Sequence, residues 1–315
     1  MGSDRRTFFN QLVNVGALSG LAAILPSDAF ARVESSIRGE TPRAGVQFQA
    51  GNDTVRTHTY HALASILRSD AEHPLTRQLG SQAAIRLPDE GGFHSHFVGA
   101  YQSGDGISFK SAYMHVAGTR SSKVGYGWVT LATSVVTGLD VHGMVTADLV
   151  FAQVSTEHPL EGYVPSVTFL GTRFENLRIG GRQVEPVFDL GICGPKPDGD
   201  TPYLHDSGFL SRVSQQSERI NNVPGLPDWA REQYHWDPAA IGQTGKVECS
   251  LVTSVAQATP GTSFGHIVEV PGFGKISLAK LAVDRAFHLT MVGVDTDSGG
   301  TVSAGTTTSN GTTRP

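Results

Sequence analysis

The chain has 315 residues, of which 39% are hydrophobic, 17% are charged and two are cysteine, so it can bury a large core and is neither a disulfide-stapled miniprotein nor a collagen. The charged fraction lies below the roughly one quarter usual in soluble domains, and the 37 glycines favour turn-rich β-structure over a helical bundle. A net charge of −5 offers no basic surface for nucleic acid or anionic lipid, so we exclude nucleic acid as a partner.

The first 31 residues have the pattern of a twin-arginine export signal. Arg5 and Arg6 precede an apolar run from Leu12 to Leu25, and a small-residue cleavage site ends at Ala31. The run has about 14 residues, fewer than the roughly 20 that span a bilayer. We therefore expect a mature chain without a membrane span, in the periplasm, outside the cell or at its surface. A retained N-terminal membrane helix is the alternative.

Residues 32–80 are predicted to form a leader with one short helix. Residues 32–56 are polar and show no hydrophobic periodicity. The segment from His61 to Arg68 has the spacing of a short amphipathic helix, and Pro74 follows it.

Period-two alternation then marks residues 81–297 as a β-sandwich domain. Segments of alternating or continuous apolar residues are separated by Gly or Pro turns at the spacing of about 8 to 12 residues that is typical of sandwiches and barrels. The segments before residue 180 are 93–101, 107–116, 126–136, 139–145, 148–154, 166–170 and 174–179. Later segments are 247–255, 267–270, 274–281 and 287–294. We predict an all-β fold, a two-sheet antiparallel β-sandwich.

His94 and His96 are candidate metal ligands in the first strand of this domain. Residues two apart on a strand face the same side, and His115 of the next strand would complete a three-nitrogen site for zinc or another divalent transition metal. A four-residue loop would place His94 opposite His115. A five-residue loop, 102–106, makes the first two histidines face Met114 and Ala112 and gathers the aromatic residues of both strands on one side. Aromatic burial favours this second register, so we expect no metal and keep the metal site as an alternative.

Three short stretches carry a resemblance to a known group of proteins. Val145-Thr146-Ala147-Asp148, residues 171–181 (GTRFENLRIGG) and residues 270–278 (VPGFGKISL) follow one another in this order. They resemble bacterial exported proteins of the choice-of-anchor P type and related uncharacterised secreted proteins. The resemblance implies an extracellular, β-rich protein of unknown biochemical role and supplies no catalytic residue.

A helical insertion is predicted at about residues 204–245. Residues 206–220 have a helical cap and charge pattern, and a second short helix is predicted at 228–234. The aromatic residues Trp229, Tyr234 and Trp236 either fasten the insertion to the sheet or stack on a sugar or peptide. We favour the fastening role.

Cys193 and Cys249 flank the insertion. Export would place them in an oxidising compartment, where a disulfide would close a long loop and stabilise the fold by about 3 to 4 kcal/mol. Two buried thiols are the alternative. The chain has no C-x-x-C motif.

Residues 261–265 match the G-x-S-x-G nucleophile elbow of hydrolases, but the context contradicts that role. Pro260 interrupts the preceding strand, and another predicted strand follows where the elbow requires a helix. Residues 298–315 form a Ser/Thr/Gly-rich tail. We expect an edge strand at 301–306 and a frayed end beyond it.

These patterns together predict an exported extracellular or cell-surface structural or binding protein, without catalytic activity and without a cofactor. One alternative is a secreted metal-dependent enzyme with a His-based site, and another is a carbohydrate-binding module. Expected partners are a cell-wall component, a glycan or a second copy of the chain joined through an edge strand.

Overall fold

The structure is a computed structural model that describes residues 56–69, 83–103, 106–259 and 262–314. The predicted export signal, 1–31, and most of the predicted leader lie outside the described residues. Contacts divide the chain into two units, residues 1–58 with 313–315, and residues 59–312. In the first unit, Nδ1 of His58 lies 3.0 Å from Oγ1 of Thr313. Within the described ranges, no helix is long and apolar enough to cross a bilayer.

Strands dominate the described residues, with three short helices between β13 and β14. The strands are β1 (Thr57–Ser69), β2 (Ala84–Arg86), β3 (Gly92–Val98), β4 (Tyr101–Gln102), β5 (Ile107–Phe109), β6 (Ser111–Arg120), β7 (Tyr126–Val141), β8 (Val145–Pro159), β9 (Ser166–Thr168), β10 (Arg173–Glu175), β11 (Arg178–Ile179), β12 (Arg182–Gln183), β13 (Glu185–Phe188), β14 (Val247–Ser250), β15 (Val252–Ala256), β16 (Ser263–Phe264), β17 (Ile267–Val270), β18 (Gly274–Val283), β19 (Phe287–Thr296) and β20 (Thr301–Arg314). The helices are α1 (Ser207–Asn221), α2 (Asp228–Gln233) and α3 (Pro238–Thr244), preceded by a 3-10 helix, Tyr203–His205.

The strands form two large antiparallel sheets. Sheet A has the order β16-β17-β18-β19-β20-β1-β2, and β14 pairs with the part of β18 that β17 leaves free. Sheet B is built on the long hairpin β7-β8. Strands β5 and β6 line one edge of that hairpin, and β9, β10 and β11 line the other. Strands β13 and β15 form a separate pair. The prediction of an all-β antiparallel sandwich with a helical insertion is confirmed.

Small hydroxyl side chains join the sheets inside the sandwich. Thr156 on β8 lies 3.0 Å from Ser309 on β20, measured between their hydroxyl oxygens. The Ser309 hydroxyl also contacts the carbonyl oxygen of Thr130 at 3.1 Å, and Ser134 donates to the carbonyl oxygen of Ser65 at 2.8 Å. These pairs satisfy polar groups that would otherwise be costly inside an apolar core.

The β7-β8 hairpin turns at a place that the sequence analysis assigned to a strand. The predicted strand 139–145 is split by a turn in which His142 and Gly143 have φ values of 55° and 65°. Positive φ at two successive residues is the geometry of a tight hairpin turn, and histidine accepts it more readily than most residues. The predicted break near Gly138 is instead a position within β7. Gly138 has a φ of 60°, and the residues that face the core have even numbers before it and odd numbers after it.

The predicted helix from His61 to Arg68 is wrong, because this segment lies in strand β1. Ala62, Ala64 and Ile66 are buried at a spacing of two, and β1 lies between β20 and β2 in sheet A. The apolar positions of this segment fit both the helical period of about 3.6 residues and the strand period of two residues. Its conformation is therefore decided by pairing with neighbouring strands. The sandwich therefore begins inside the predicted leader rather than at residue 81.

The predicted frayed tail is also wrong, because β20 extends to Arg314 and lies inside sheet A between β19 and β1. Its inward side begins with Val302 and Ala304 and continues, after a positive-φ glycine at Gly305, with Thr307 and Ser309. Threonine favours strands, and its small hydroxyl can be buried when it is paired. The segment has few charged and few large apolar residues, a composition that is also typical of a disordered tail, and this led to the wrong prediction.

Candidate functional site

The structure separates the three histidines that were proposed as metal ligands. His94 lies opposite Val116 and His96 opposite Met114, whereas His115 lies opposite Ser95 and faces the other side of sheet B. The pairing is shifted by two residues from the register expected for a five-residue loop. A shift of two leaves each side chain on the expected face of the sheet. The alternative in which His94 faces His115 is wrong. Among the residues described, no three His, Cys, Asp or Glu side chains are grouped closely enough to hold a metal ion.

The expected aromatic side of the same strands is corrected as well. Tyr101 stacks on the buried Phe109, with ring centroids 5.4 Å apart, and both contact the core. Phe93 and Phe97 lie on the opposite face and are 62% and 65% exposed. In β5 the odd-numbered residues are buried, whereas in β6 the even-numbered residues are buried. The change occurs opposite Gly138 of β7, so the aromatic residues do not all face the same side.

The three insertion aromatics mainly fasten the insertion to the sandwich. Tyr234 is buried, and Trp236 is half-buried against the main core. Trp229 packs edge-on against Phe264, and Nζ of Lys275 lies 4.7 Å from the centre of its ring. The favoured fastening role agrees with this packing, and Trp229 does not line the cavity that Tyr234 and Trp236 line.

Helix α1 begins at a side-chain cap and is held against sheet A by one buried amide. The carboxylate of Asp206 caps the helix by accepting from the backbone N–H of Phe209 at 2.6 Å. Gln216 makes two hydrogen bonds to the backbone of Ser250, donating to its carbonyl at 2.9 Å and accepting from its N–H at 3.0 Å. The helix is therefore fixed at the junction of β14 and β15.

A cavity of about 220 Å³ lies between the insertion and strands β14 and β18, and we name it the insertion cavity. It is smaller than the roughly 300 to 1,000 Å³ usual for drug-sized ligands. Its walls come from α1, the segment from α2 to α3, β14, β18 and the turn before β17. The lining residues are Val213, Gln216, Ser217, Gln233, Tyr234, His235, Trp236, Asp237, Ala240, Ile241, Lys246, Val247, Glu248, Cys249, His266 and Lys280.

A buried tyrosine–histidine pair forms one wall of the insertion cavity. The Tyr234 hydroxyl donates to the carbonyl oxygen of Phe264 at 2.8 Å and lies 3.1 Å from Nδ1 of His266. Because the single phenol proton is used at Phe264, Nδ1 of His266 carries the proton that completes the second hydrogen bond. Burial lowers the pKa of His266 to about 3, and the charge of Lys280 adds to this. The imidazole is therefore neutral, with Nε2 as its acceptor.

A carboxylate between two ammonium groups forms the rim of the insertion cavity. Glu248 contacts Nζ of Lys246 at 2.5 Å and Nζ of Lys280 at 2.6 Å. Burial raises the pKa of Glu248, but hydrogen bonds and charge from both lysines outweigh burial and hold that pKa below its ordinary value. Glu248 is therefore ionised at neutral pH and paired with both lysines.

The structure contains Cys193 and Cys249 as free, buried thiols. The sequence analysis left a disulfide and two thiols open, and the structure has the thiols. Burial raises the pKa of Cys193 to about 12, and burial together with the nearby Cys193 raises the pKa of Cys249. Arg212 donates from Nη2 to the carbonyl oxygen of Cys193 at 2.7 Å, which ties α1 to this segment.

The sequence analysis missed the residues that give the insertion cavity its chemistry. His266, Glu248, Lys246 and Lys280 follow no motif, and the sheet pairing of β14 with β18 brings Glu248 and Lys280 together. The G-x-S-x-G segment yields no elbow in the residues described, because Ser263 begins strand β16. Gly261 lies outside the described residues.

Comparison with known proteins places the chain in a family. No curated protein and no solved structure matches it. A family model described as a domain of unknown function, DUF8256, matches residues 58–284, which is more than half of the chain. The match includes every residue that lines the insertion cavity and stops before β19 and β20. The chain therefore belongs to the DUF8256 family.

Proposed function

We propose that the protein is an exported binding protein that works outside the cytoplasm and holds a small ligand in the insertion cavity without transforming it. One observation carries this proposal. The cavity combines a buried imidazole that is oriented by Tyr234 with a rim of paired charges. Preformed concave sites with a few fixed polar groups are the usual form of small-ligand sites.

The acid–base properties of the cavity favour binding over catalysis. General acid–base catalysis is most effective when the pKa of the catalytic group lies near the working pH. Burial moves the pKa of His266 down to about 3, and the pKa of Glu248 is also lowered. Both groups are therefore weak bases at neutral pH and serve better as fixed hydrogen-bond acceptors.

The proposal of export rests on the N-terminal sequence. Arg5-Arg6, the short apolar run and the small residues before Ala31 have the order of a twin-arginine signal. The resemblance to exported proteins of the choice-of-anchor P type points in the same direction. A cell-surface or cell-wall location is the corresponding proposal for the mature chain.

Ligand binding is tested with a thermal-shift screen of neutral monosaccharides, amino acids and short dicarboxylates. Ala240→Trp fills the cavity from α3, and Ala239→Trp is the matched control because Ala239 is exposed on the same helix and does not line the cavity. We expect at least one compound to raise the Tm of the wild type and of Ala239→Trp, but not of Ala240→Trp. Mass spectrometry should recover that compound unchanged. A chemically altered compound, or the lack of any Ala240-dependent shift, would overturn the proposal.

Export is tested by expressing the full chain in a bacterium that has twin-arginine transport. We expect the wild type outside the cytoplasm with a mass that corresponds to cleavage after Ala31. The variant Arg5→Lys/Arg6→Lys should stay in the cytoplasm at full length. Equal distribution of the two proteins would contradict the proposed route.

A further inference from the structure

The ring of His266 presents an acceptor that no described residue satisfies. Its Nδ1 is paired with Tyr234, and none of the hydrogen bonds within the described ranges reaches Nε2. The residue lines the insertion cavity and is only 6% exposed. Because His266 lines the cavity, a ligand that supplies a hydroxyl or N–H donor can form a hydrogen bond with Nε2 there. A carboxylate or phosphate oxygen has no proton to donate, so its lone pairs would be repelled by the lone pair of Nε2.

The charges that line the insertion cavity cancel. Lys246 and Lys280 are balanced by Glu248 and Asp237, and Glu248 already contacts both lysines. A net-neutral set of groups provides no field that would concentrate an ion of either sign. Paired charges still offer strong donors and acceptors to neutral polar groups, because charge-assisted hydrogen bonds are shorter and stronger than neutral ones.

The lining of the cavity also contains apolar side chains, one of which is an indole. Trp236 is half-buried, and Val213, Ile241 and Val247 are aliphatic members of the same lining. A volume of about 220 Å³ corresponds to roughly seven water molecules at about 30 Å³ each. This space suits one small ring rather than a chain of rings. A ring with an apolar face and several hydroxyl groups would match a lining that has both apolar and polar side chains.

From this arrangement we infer that the insertion cavity takes one neutral sugar ring. A ligand hydroxyl donates to Nε2 of His266, further hydroxyls bind Lys280 and Glu248, and the apolar face of the ring lies against Trp236. The inference deepens the proposed binding function and depends on it. Of the three aromatic residues that the sequence suggested for sugar binding, Tyr234 and Trp236 line the cavity, whereas Trp229 lies outside it.

The test is a titration of the full chain with the methyl glycosides of glucose, galactose, mannose and N-acetylglucosamine, followed by saturation-transfer NMR and calorimetry. Glucuronic acid and glucosamine serve as anionic and cationic analogues. We expect one neutral glycoside to bind at least about tenfold more tightly than the charged analogues, which corresponds to about 1.4 kcal/mol. Ala240→Trp should abolish this binding.

Two variants separate the predicted contacts from general damage to the fold. His266→Asn keeps an amide nitrogen near the place of Nδ1, and so the contact with Tyr234, but removes Nε2. Glu248→Gln changes the rim, where the glutamate side chain is 38% exposed, so folding is preserved. We expect each to weaken glycoside binding about tenfold or more. Lys275→Met, on β18 beside Trp229 and outside the cavity, is the control that should leave affinity unchanged.

The outcomes distinguish the ligand class from the binding site. If an amino acid or a dicarboxylate binds and Ala240→Trp removes that binding, the sugar inference is overturned while the proposed binding function stands. If no tested compound binds in an Ala240-dependent way, both are overturned. Sugar binding that survives Ala240→Trp and His266→Asn would also overturn the inference, because the sugar would then lie elsewhere.

Discussion

The hydroxyl of Tyr234 lies 3.1 Å from Nδ1 of His266 and joins the helical insertion to the turn before β17. The same oxygen donates to Phe264 at 2.8 Å and accepts from the backbone N–H of His266 at 3.3 Å. One phenol thus contacts three polar groups at this turn. Its loss affects both the attachment of the insertion and the orientation of the imidazole.

Tyr234→Phe should therefore destabilise the protein without removing the ring that packs in the insertion. We expect a loss of about 1 to 3 kcal/mol in the free energy of unfolding, because the carbonyl of Phe264 and Nδ1 of His266 lose their partner in a buried place. Urea denaturation measures the loss. Tyr163→Phe is the control, since that side chain is 47% exposed and its change should cost less than about 0.5 kcal/mol. Equal effects of both variants would contradict the role assigned to Tyr234.

Buried His158 should make stability depend on pH in the mildly acidic range. Burial lowers its pKa from 6.5 to about 4, the charge of His61 adds to this, and contacts with Gly311 and Asn310 oppose it. Between these two pKa values the unfolded chain binds more protons than the folded chain, so the free energy of unfolding falls as pH falls. The contribution is complete above about pH 6.5 and declines toward about pH 4. By about pH 5 the loss from this group is about 2 kcal/mol.

Guanidinium unfolding at about pH 8 and about pH 5 measures this dependence. We expect His158→Gln to show a decrease that is smaller than that of the wild type by about 2 kcal/mol. His205→Gln, which alters an exposed histidine, should behave as the wild type. The same pH dependence in all three proteins would show that His158 is not the titrating group.

The fold class could be predicted because period-two alternation with Gly and Pro turns has few solutions other than a sandwich or barrel. Element boundaries and types could not be predicted where a local sequence signal competed with strand pairing. Glycine is typical of turns, but Gly138 lies within β7. Its positive φ marks the position where the core-facing residues of β7 change from even to odd numbers. The segment from His61 to Arg68 fits two periods, and only its neighbours in sheet A select the strand.

The insertion could be predicted from its caps and prolines, but its cavity could not. Gln216, Glu248, His266 and Lys280 come from four separate segments that meet only after β14 pairs with β18 and α1 packs on them. No spacing in the sequence encodes that meeting. The spacing of His94 and His96 suggests a metal site, but such a site is not formed with His115. The strand register places His115 on the other face of sheet B.

Cys193 and Cys249 should be unreactive in the folded protein. Burial raises the pKa of Cys193 to about 12 and raises that of Cys249, so few thiolates are present near neutral pH. We expect a thiol reagent at about pH 8 to modify neither cysteine in the native chain and both after denaturation. The variant Cys249→Ala should give half the denatured signal. Rapid modification of the native chain would contradict the burial, and no thiol after denaturation without reductant would establish the disulfide alternative.

Strand β20 should be essential for folding, although its sequence resembles a disordered tail. Thr307 is fully buried on the inward side of β20, whereas the neighbouring Thr306 is half-buried on the other side and lies opposite Thr290. An unpaired ammonium group in the core costs several kcal/mol unless it is neutralised or reaches water. We expect Thr307→Lys to unfold the chain or lower its free energy of unfolding by more than about 3 kcal/mol.

Thr306→Lys is the matched test, because it places the same side chain one residue away on the opposite face of β20. It should change the free energy of unfolding by less than about 1 kcal/mol, since the long side chain can extend into water. Circular dichroism during thermal unfolding compares the two variants with the wild type. If Thr307→Lys melts with the wild type, residues 301–314 do not form an inner strand and the frayed-tail interpretation is restored. If both variants unfold, β20 is buried on both faces, because the side chain at 306 then has no route to solvent.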